Sequence, residues 1–345
     1  MIHDFLLRII STYLRNPYQH NNNNNNNNNN VKLMSLNQRF YSIRYIFIKQ
    51  LCLNLRQSKY AYTNKPYNWN KVHSMFFFNS DISDVSALGT CYSLKLYSCH
   101  NICDVSALGT CRSLVLCNCE NISDVSALGT CHVLSFCYCH NLSDVSALGT
   151  CHSVVLQYCK NISDVSALGT CKSLVLDSFQ NITDVSALGK CHSLQLRNCH
   201  NIRDVSALGK CYSLQLRNCN NIRNVSDLGT CHSLVLDSCE NIRDVSALGK
   251  CHSLELLYCH NIRDVSALGT CHSVVLDNCD NICDVSALGK CHSLTLQYCK
   301  NISDVSALSK CHSLVLDYCQ NIRDVSALKD VPNLNIIHCN NIIKN

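Results

Sequence analysis

Cysteine and histidine are the residues of this 345-residue chain whose types and spacing most invite chemistry. Cys-His neighbours recur at a fixed interval, as in Cys231-His232, Cys251-His252 and Cys291-His292, and Cys117-Asn118-Cys119 is echoed by Cys137-Tyr138-Cys139. Thiolate and imidazole are zinc ligands, and with an acid they make a nucleophilic site. Zinc needs four converging ligands, whereas neighbours in an extended segment point to opposite sides. Only the Cys117 and Cys137 patch is worth testing for a metal. No single Cys, His and acid set stands apart from its repeated copies, so the chain reads as no enzyme, with no metal and no cofactor. The 29 cysteines divide into 12 that open a repeat, 12 that follow its strand, and Cys52, Cys103, Cys117, Cys137 and Cys283. Phe179 once replaces Cys in the second column, as a buried apolar slot allows. Stacked columns lie about 4.8 Å apart with parallel side chains, while a disulfide wants Cβ atoms about 3.8 Å apart and converging. The expectation is therefore reduced, buried thiols in a reducing compartment, hence an intracellular protein, cytoplasmic or nuclear.

These residues are positioned by a 20-residue unit, Cys-His-Ser-Leu-Val-Leu-Asp-Ser-Cys-Glu-Asn-Ile-Arg-Asp-Val-Ser-Ala-Leu-Gly-Lys at Cys231 to Lys250, which fills Cys91 to Asp330 twelve times. A unit one residue shorter precedes that interval and a truncated one follows it. The Leu-x-Leu pair, as in Leu234 and Leu236, reads as a short strand, and identical strands stack into a parallel sheet on one face. Asp-Val-Ser-Ala-Leu-Gly is too short for a regular helix and reads as a tight turn or 3₁₀ segment on the other. One coil's Leu234, Leu236, Ile242, Val245 and Leu248 bury about 1.5–3 kcal/mol each, against about 1–2 kcal/mol of ordering for every residue, so no coil folds alone. The Asp opening the turn, such as Asp204 or Asp244, is placed to accept the N–H groups of the following Ser and Ala; Asn224 keeps the acceptor and loses the charge, so hydrogen bonding is the requirement. The Asn column (Asn121, Asn201, Asn261) reads as a ladder satisfying loop backbone groups.

Residues flanking the inward leucines point off the sheet, on the face expected to be concave, and here the units differ. Gln195/Arg197 and Gln215/Arg217 stand out from a Val/Asp background, Tyr138, Tyr158, Tyr258, Tyr298 and Tyr318 follow the strand, and Arg203, Arg223, Arg243 and Arg263 form a ridge on consecutive coils. Such a surface suits an acidic or phosphorylated protein partner; a run of Arg copied by duplication is the competing explanation. Nine of the 29 Lys and Arg, and one of the 24 acids, fall in residues 1–70. The repeats thus hold 20 bases against 23 acids, which argues against nucleic acid.

The run Leu114-Val115-Leu116 through Cys119-Glu120-Asn121-Ile122-Ser123-Asp124 resembles the cysteine-containing leucine-rich-repeat family. The resemblance covers residues 72–345 and implies a leucine-rich-repeat solenoid, here with Cys in place of the first Leu and shorter units, hence turns or 3₁₀ segments where the family has helix. Residues 1–70 differ, with a polar Asn21–Asn30 tract that buries nothing. Phe5-Leu6-Leu7-Arg8-Ile9-Ile10-Ser11 and Leu33-Met34-Ser35-Leu36-Asn37-Gln38-Arg39-Phe40-Tyr41 resemble the two helices of an F-box, split by that tract. This resemblance implies a helical module over 1–60, a linker over 61–71, and docking of Phe5, Leu6, Ile9, Ile10, Leu33, Leu36 and Phe40 onto the linker subunit of a cullin-based ubiquitin ligase. A helical cap over the first coil and a targeting sequence are the alternatives for this region. A secretory signal is disfavoured by Asp4 and Arg8, and the best apolar window, Ile43 to Leu55, contains Arg44 and Lys49 and is too short to span a membrane. The functional expectation is a non-catalytic substrate receptor of such a ligase, against a stand-alone interaction scaffold and, third, a metal-binding or redox-sensing cysteine protein.

Overall fold

The computed structural model describes residues 51–53 and 74–343. All lie in one compact unit, Gln50–Asn345; the other, Met1–Lys49, and with it every residue of the F-box resemblance, falls outside the described residues.

One parallel sheet runs through the unit with its strands in chain order, from β1 (Leu51–Leu53) and β2 (Ser74–Phe78) through β3 (Ser93–Tyr97) to β14 (Ser313–Asp317) and β15 (Asn333–Ile337). From β3 onward each residue pairs with the residue 20 positions later, as Leu234 with Leu254 and Leu254 with Val274. The short unit is absorbed between β2 and β3, where Ser74 pairs with Ser93. Leu51–Leu53 also joins the sheet, against Met75–Phe77, ahead of the 72–345 span read as repeats.

Alternation along each strand sorts the side chains. Leu234 and Leu236 are fully buried while Ser233 and Val235 are half-buried on the outer face. The chain then turns, buries Ile242 and Val245, and returns through a 3₁₀ segment, Ser246–Lys250, which buries Leu248. Leu248 N–H bonds the Val245 carbonyl and Cys251 N–H the Leu248 carbonyl, the i to i+3 pattern that defines the segment. The expected turns opposite the sheet are therefore single 3₁₀ segments. Stacked coils merge these residues into one continuous core from Met75 to Val331.

One polar column braces the turn of each coil and others tie coil to coil. The Asp column accepts the N–H of the Ser two residues on, at 2.9 Å for Asp204 and 2.8 Å for Asp244, and Asn224 does the same at 3.0 Å. That contact is the expected one, made by Ser; at Asp204 and Asp244 no bond from Ala accompanies it. The Ser N–H holds the Asp204 carboxyl below its ordinary range. The Asn column donates across coils, from Asn121 Nδ2 to the His100 carbonyl and from Asn261 Nδ2 to the Glu240 carbonyl, each at 2.6 Å. The cysteine columns do likewise: the Cys131 thiol lies 3.5 Å from the Leu108 carbonyl and the Cys219 thiol 3.5 Å from the Leu196 carbonyl, one coil back. Cysteine here is a small apolar filler with a weak donor aimed at the preceding coil.

All eleven glycines of the chain occupy one further column, and none has a positive φ. The requirement is close approach. A Cβ on Gly189 would sit 2.1 Å from the Ala207 carbonyl oxygen of the next coil, and ten other positions repeat this collision.

Candidate interaction surface

The outer face of the sheet carries the residues that change from coil to coil, and the structure ties several of them to one another. Arg197 Nη2 donates to Gln195 Oε1 at 2.7 Å and to Gln215 Oε1 at 3.4 Å. Arg217 Nε lies 3.1 Å from Asp237 Oδ2, with the Arg217 side chain 51% exposed and that of Asp237 only 10%. The two Gln/Arg pairs thus touch through Arg197 and Gln215, while Arg217 pairs onward with Asp237 of the next coil. Register produces this, because Arg217 and Asp237 face each other across adjacent strands.

Arg203, Arg223, Arg243 and Arg263 are placed elsewhere. Each lies between its strand and the following 3₁₀ segment, as Arg203 does between Ser193–Arg197 and Ser206–Lys210, so the ridge sits on a loop edge of the coils and off the sheet face. All four are exposed, and no hydrogen bond or ion pair engages their guanidinium groups among the described residues.

The residue after every strand from β2 onward has a left-handed backbone, with φ of 49° to 64° in fourteen non-glycine positions from Asn79 to His338. Asn is favoured there and Tyr is not. Tyr138, Tyr158, Tyr258, Tyr298 and Tyr318 nonetheless occupy it and are exposed by 37–45%. Tyr138 and Tyr158 stack at 4.6 Å and Tyr298 and Tyr318 at 4.7 Å.

The histidines next to the opening cysteines form a second stack. His192, Tyr212, His232, His252, His272, His292 and His312 follow one another with ring centroids 4.4 to 4.7 Å apart. Parallel rings at this spacing do not converge on one point. Desolvation, then the neighbouring His252 and His292, lowers the affinity of His272 for a proton. The Cys-His spacing that resembles a ligand pattern therefore builds a ring ladder. Its signal was available in the sequence as His recurring at the strand-stacking period.

Every cysteine from Cys91 to Cys339 is free. Burial pushes the Cys91 thiol up to about 11 and the Cys111 and Cys191 thiols to about 12, which keeps them protonated and poorly nucleophilic at neutral pH. Cys117 and Cys137 are direct register partners on the outer face, and burial raises both. Among the described residues no three His, Cys, Asp or Glu side chains gather as a metal group, and no helix is long and apolar enough to cross a membrane.

A 20-residue coil, one strand per coil in a continuous parallel sheet, and a 3₁₀ segment on the return define a leucine-rich-repeat solenoid. No family model and no curated protein matches the chain. Among solved structures it is similar to TLR13 in its complex with ssRNA13, at 19% identity and a TM-score of 0.51 over 76% of this chain and 45% of that one. It is also similar to an internalin, InlF, from Listeria monocytogenes (22% identity, TM-score 0.49, 78% and 80% of the two chains) and to the LRR protein LIC12759 of Leptospira interrogans (11%, 0.40, 74% and 86%). The likeness is one of fold.

Proposed function

We propose that the chain is a non-catalytic protein-binding receptor that holds its target on the outer face of the sheet and presents it to a cullin-based ubiquitin ligase. The observation that carries the binding half is the contrast between columns. Leu, Ile, Val, Gly, Asn and Asp positions barely change, while the sheet face varies along the array and is bordered by tyrosines in a backbone conformation that tyrosine disfavours. Strain kept at an exposed position is a mark of use. Amphipathic rings beside a sheet are also the residue type enriched where proteins meet. The Arg203 to Arg263 ridge, unpaired and exposed, is the part of the surface suited to an acidic or phosphorylated segment of the target.

The ligase half rests on the F-box resemblance of Phe5 to Ser11 and Leu33 to Tyr41. Under this reading the chain supplies no reactive group, and its contribution is proximity, bringing target lysines near the transferring enzyme. The free cysteine columns, buried at every position except Cys339, accord with a reducing intracellular compartment. Affinity purification of the full chain and of residues 61–345 provides the test. The full chain should recover cullin-ligase subunits and the shortened chain should not. Recovery by neither would replace the receptor with a stand-alone interaction scaffold.

A further inference from the structure

The tyrosine column contains a gap. Tyr138 and Tyr158 stack on each other, and Tyr298 and Tyr318 continue onto His338 at 4.3 Å, so ring contact offsets the strain of their left-handed backbones. Tyr258 has the same strain, with φ of 53°, and no ring neighbour among the described residues. Ser238 and Asn278 hold the flanking positions, and the next ring, Tyr298, is two coils away. Two coils at the strand spacing of about 4.8 Å make a slot about 9–10 Å across between ring planes, the room that one more planar group would fill.

The base of the slot is an uncommitted carboxylate. Tyr258 N–H donates to the Asp277 carbonyl at 2.8 Å, and Asp277 is the register partner of Leu257, so its residue lies on the sheet face next to the Tyr258 position. Its Oδ1 is buried and has no hydrogen-bond partner. The other aspartates in this sheet column are all engaged: Asp177 by Ser178 and Asn198, Asp237 by Ser238 and Arg217, Asp317 by Gln297 and His338. Asn278 also differs from Asn118, Asn198 and Asn218, whose amides reach back to the preceding coil, in that its side chain bonds nothing. Burial, then the nearby Asp237 and Asp317, raises Asp277 above the ordinary carboxylate range. The slot is bounded by rings and is short of positive charge.

A planar cation with parallel N–H donors meets both demands. We propose that the slot between Tyr258 and Tyr298, floored by Asn278 and Asp277, receives an arginine side chain of the protein partner, its guanidinium stacked between the rings and its N–H groups donated to the Asp277 carboxylate. The proposal deepens the receptor reading and rests on it. Guanidinium stacks on aromatic faces and pairs with carboxylate through a flat fork; an ammonium does neither as well. Asp277 thus gains the partner that every other aspartate of the column has.

The test uses the full chain and the peptide acetyl-Gly-Arg-Gly-amide, with lysine and citrulline counterparts, followed through the tyrosine ring resonances by NMR. Two variants accompany it: Asn278→Tyr, which inserts the missing ring at a backbone position that tyrosine already holds in five coils, and Asp277→Asn. The arginine peptide should give saturable shifts at Tyr258 and Tyr298, lysine should bind more weakly and citrulline more weakly still. Both variants should weaken arginine by about tenfold or more with the melting temperature unchanged. Absence of saturable arginine binding, equal binding of citrulline, or undiminished binding by Asn278→Tyr would overturn the proposal. Target capture by the full chain with a failed peptide titration removes the slot alone, while peptide binding without target capture removes the receptor reading alone.

Discussion

Replacing Gly189 by Ala tests how the coils are held together. Because no glycine in the chain has a positive φ, the backbone alone tolerates alanine, and the loss of unfolded-state freedom would stabilise the protein by about 0.4–1 kcal/mol. Packing acts in the opposite direction. The new Cβ would lie 2.1 Å from the Ala207 oxygen and 3.0 Å from its carbonyl carbon, whereas an ordinary contact begins near 3.4 Å. Relief requires about 1 Å of separation at this edge. The obstacle is backbone and cannot rotate away, and the strand hydrogen bonds on the far side hold the coils at about 4.8 Å. The coils must therefore wedge apart, stretching the 3.6 Å contact of the Cys211 thiol with the Leu188 carbonyl. Overpacking of this kind costs about 1–3 kcal/mol, so the net expectation is a destabilisation of about 1–2 kcal/mol. In a nearest-neighbour array the weakened interface should also broaden the transition. Urea unfolding followed by circular dichroism reads both effects. A Gly189→Ala protein as stable as the parent, or more so, would refute the reasoning, because it would mean that close approach does not constrain the column.

Asp204→Ala should lower the melting temperature by more than Asp204→Asn, because Asn keeps the acceptor, as Asn224 does, and gives up only the added strength of an ionised one; equal losses in scanning calorimetry would make charge the requirement instead. Acidification should weaken the fold from two sides. His272 binds its proton less well folded than unfolded, so stability falls as pH drops below the ordinary histidine value of about 6.5, and His252→Gln with His272→Gln should flatten that limb of a pH series of urea midpoints. The Asp column is held below its ordinary range, so its contribution is complete above about pH 4 and is lost as the pH falls through the lowered folded values. Maleimide at neutral pH should label exposed Cys103 and Cys283 in the native protein and leave Cys111 and Cys191 unmodified until urea unfolds it, as peptide mass spectrometry would show; early labelling of the buried pair would contradict their shielding.

Constant spacing made most of the scaffold legible in the sequence. A period of 20 with Leu-x-Leu at its head leaves one way to hide the aliphatic residues, and Asn224 in an Asp column identified a hydrogen bond as the requirement. What escaped was interaction between coils. The glycine column has the same period as the leucines, but its reason is the carbonyl of the next coil, which a single unit does not contain. Arg217 stands out in the sequence against a Val/Asp background, but its pairing with Asp237, 20 residues on, follows only once strand register and side-chain direction are fixed. The histidines looked like ligands when read beside their cysteines and become a ring stack when read down the column. The missing ring at Asn278 is visible only after the left-handed position and the stack are both known.

The central claim is that this solenoid meets its partner through the outer face of its sheet. Hydrogen exchange of the full chain, alone and with the protein it captures, tests this most directly. The account predicts new protection in the strands and the tyrosine-bearing turns after them, centred on Ser233–Asp237 to Ser313–Asp317, with the 3₁₀ segments unchanged. Protection confined to the 3₁₀ segments, with the strands and their tyrosines unaffected, would contradict it.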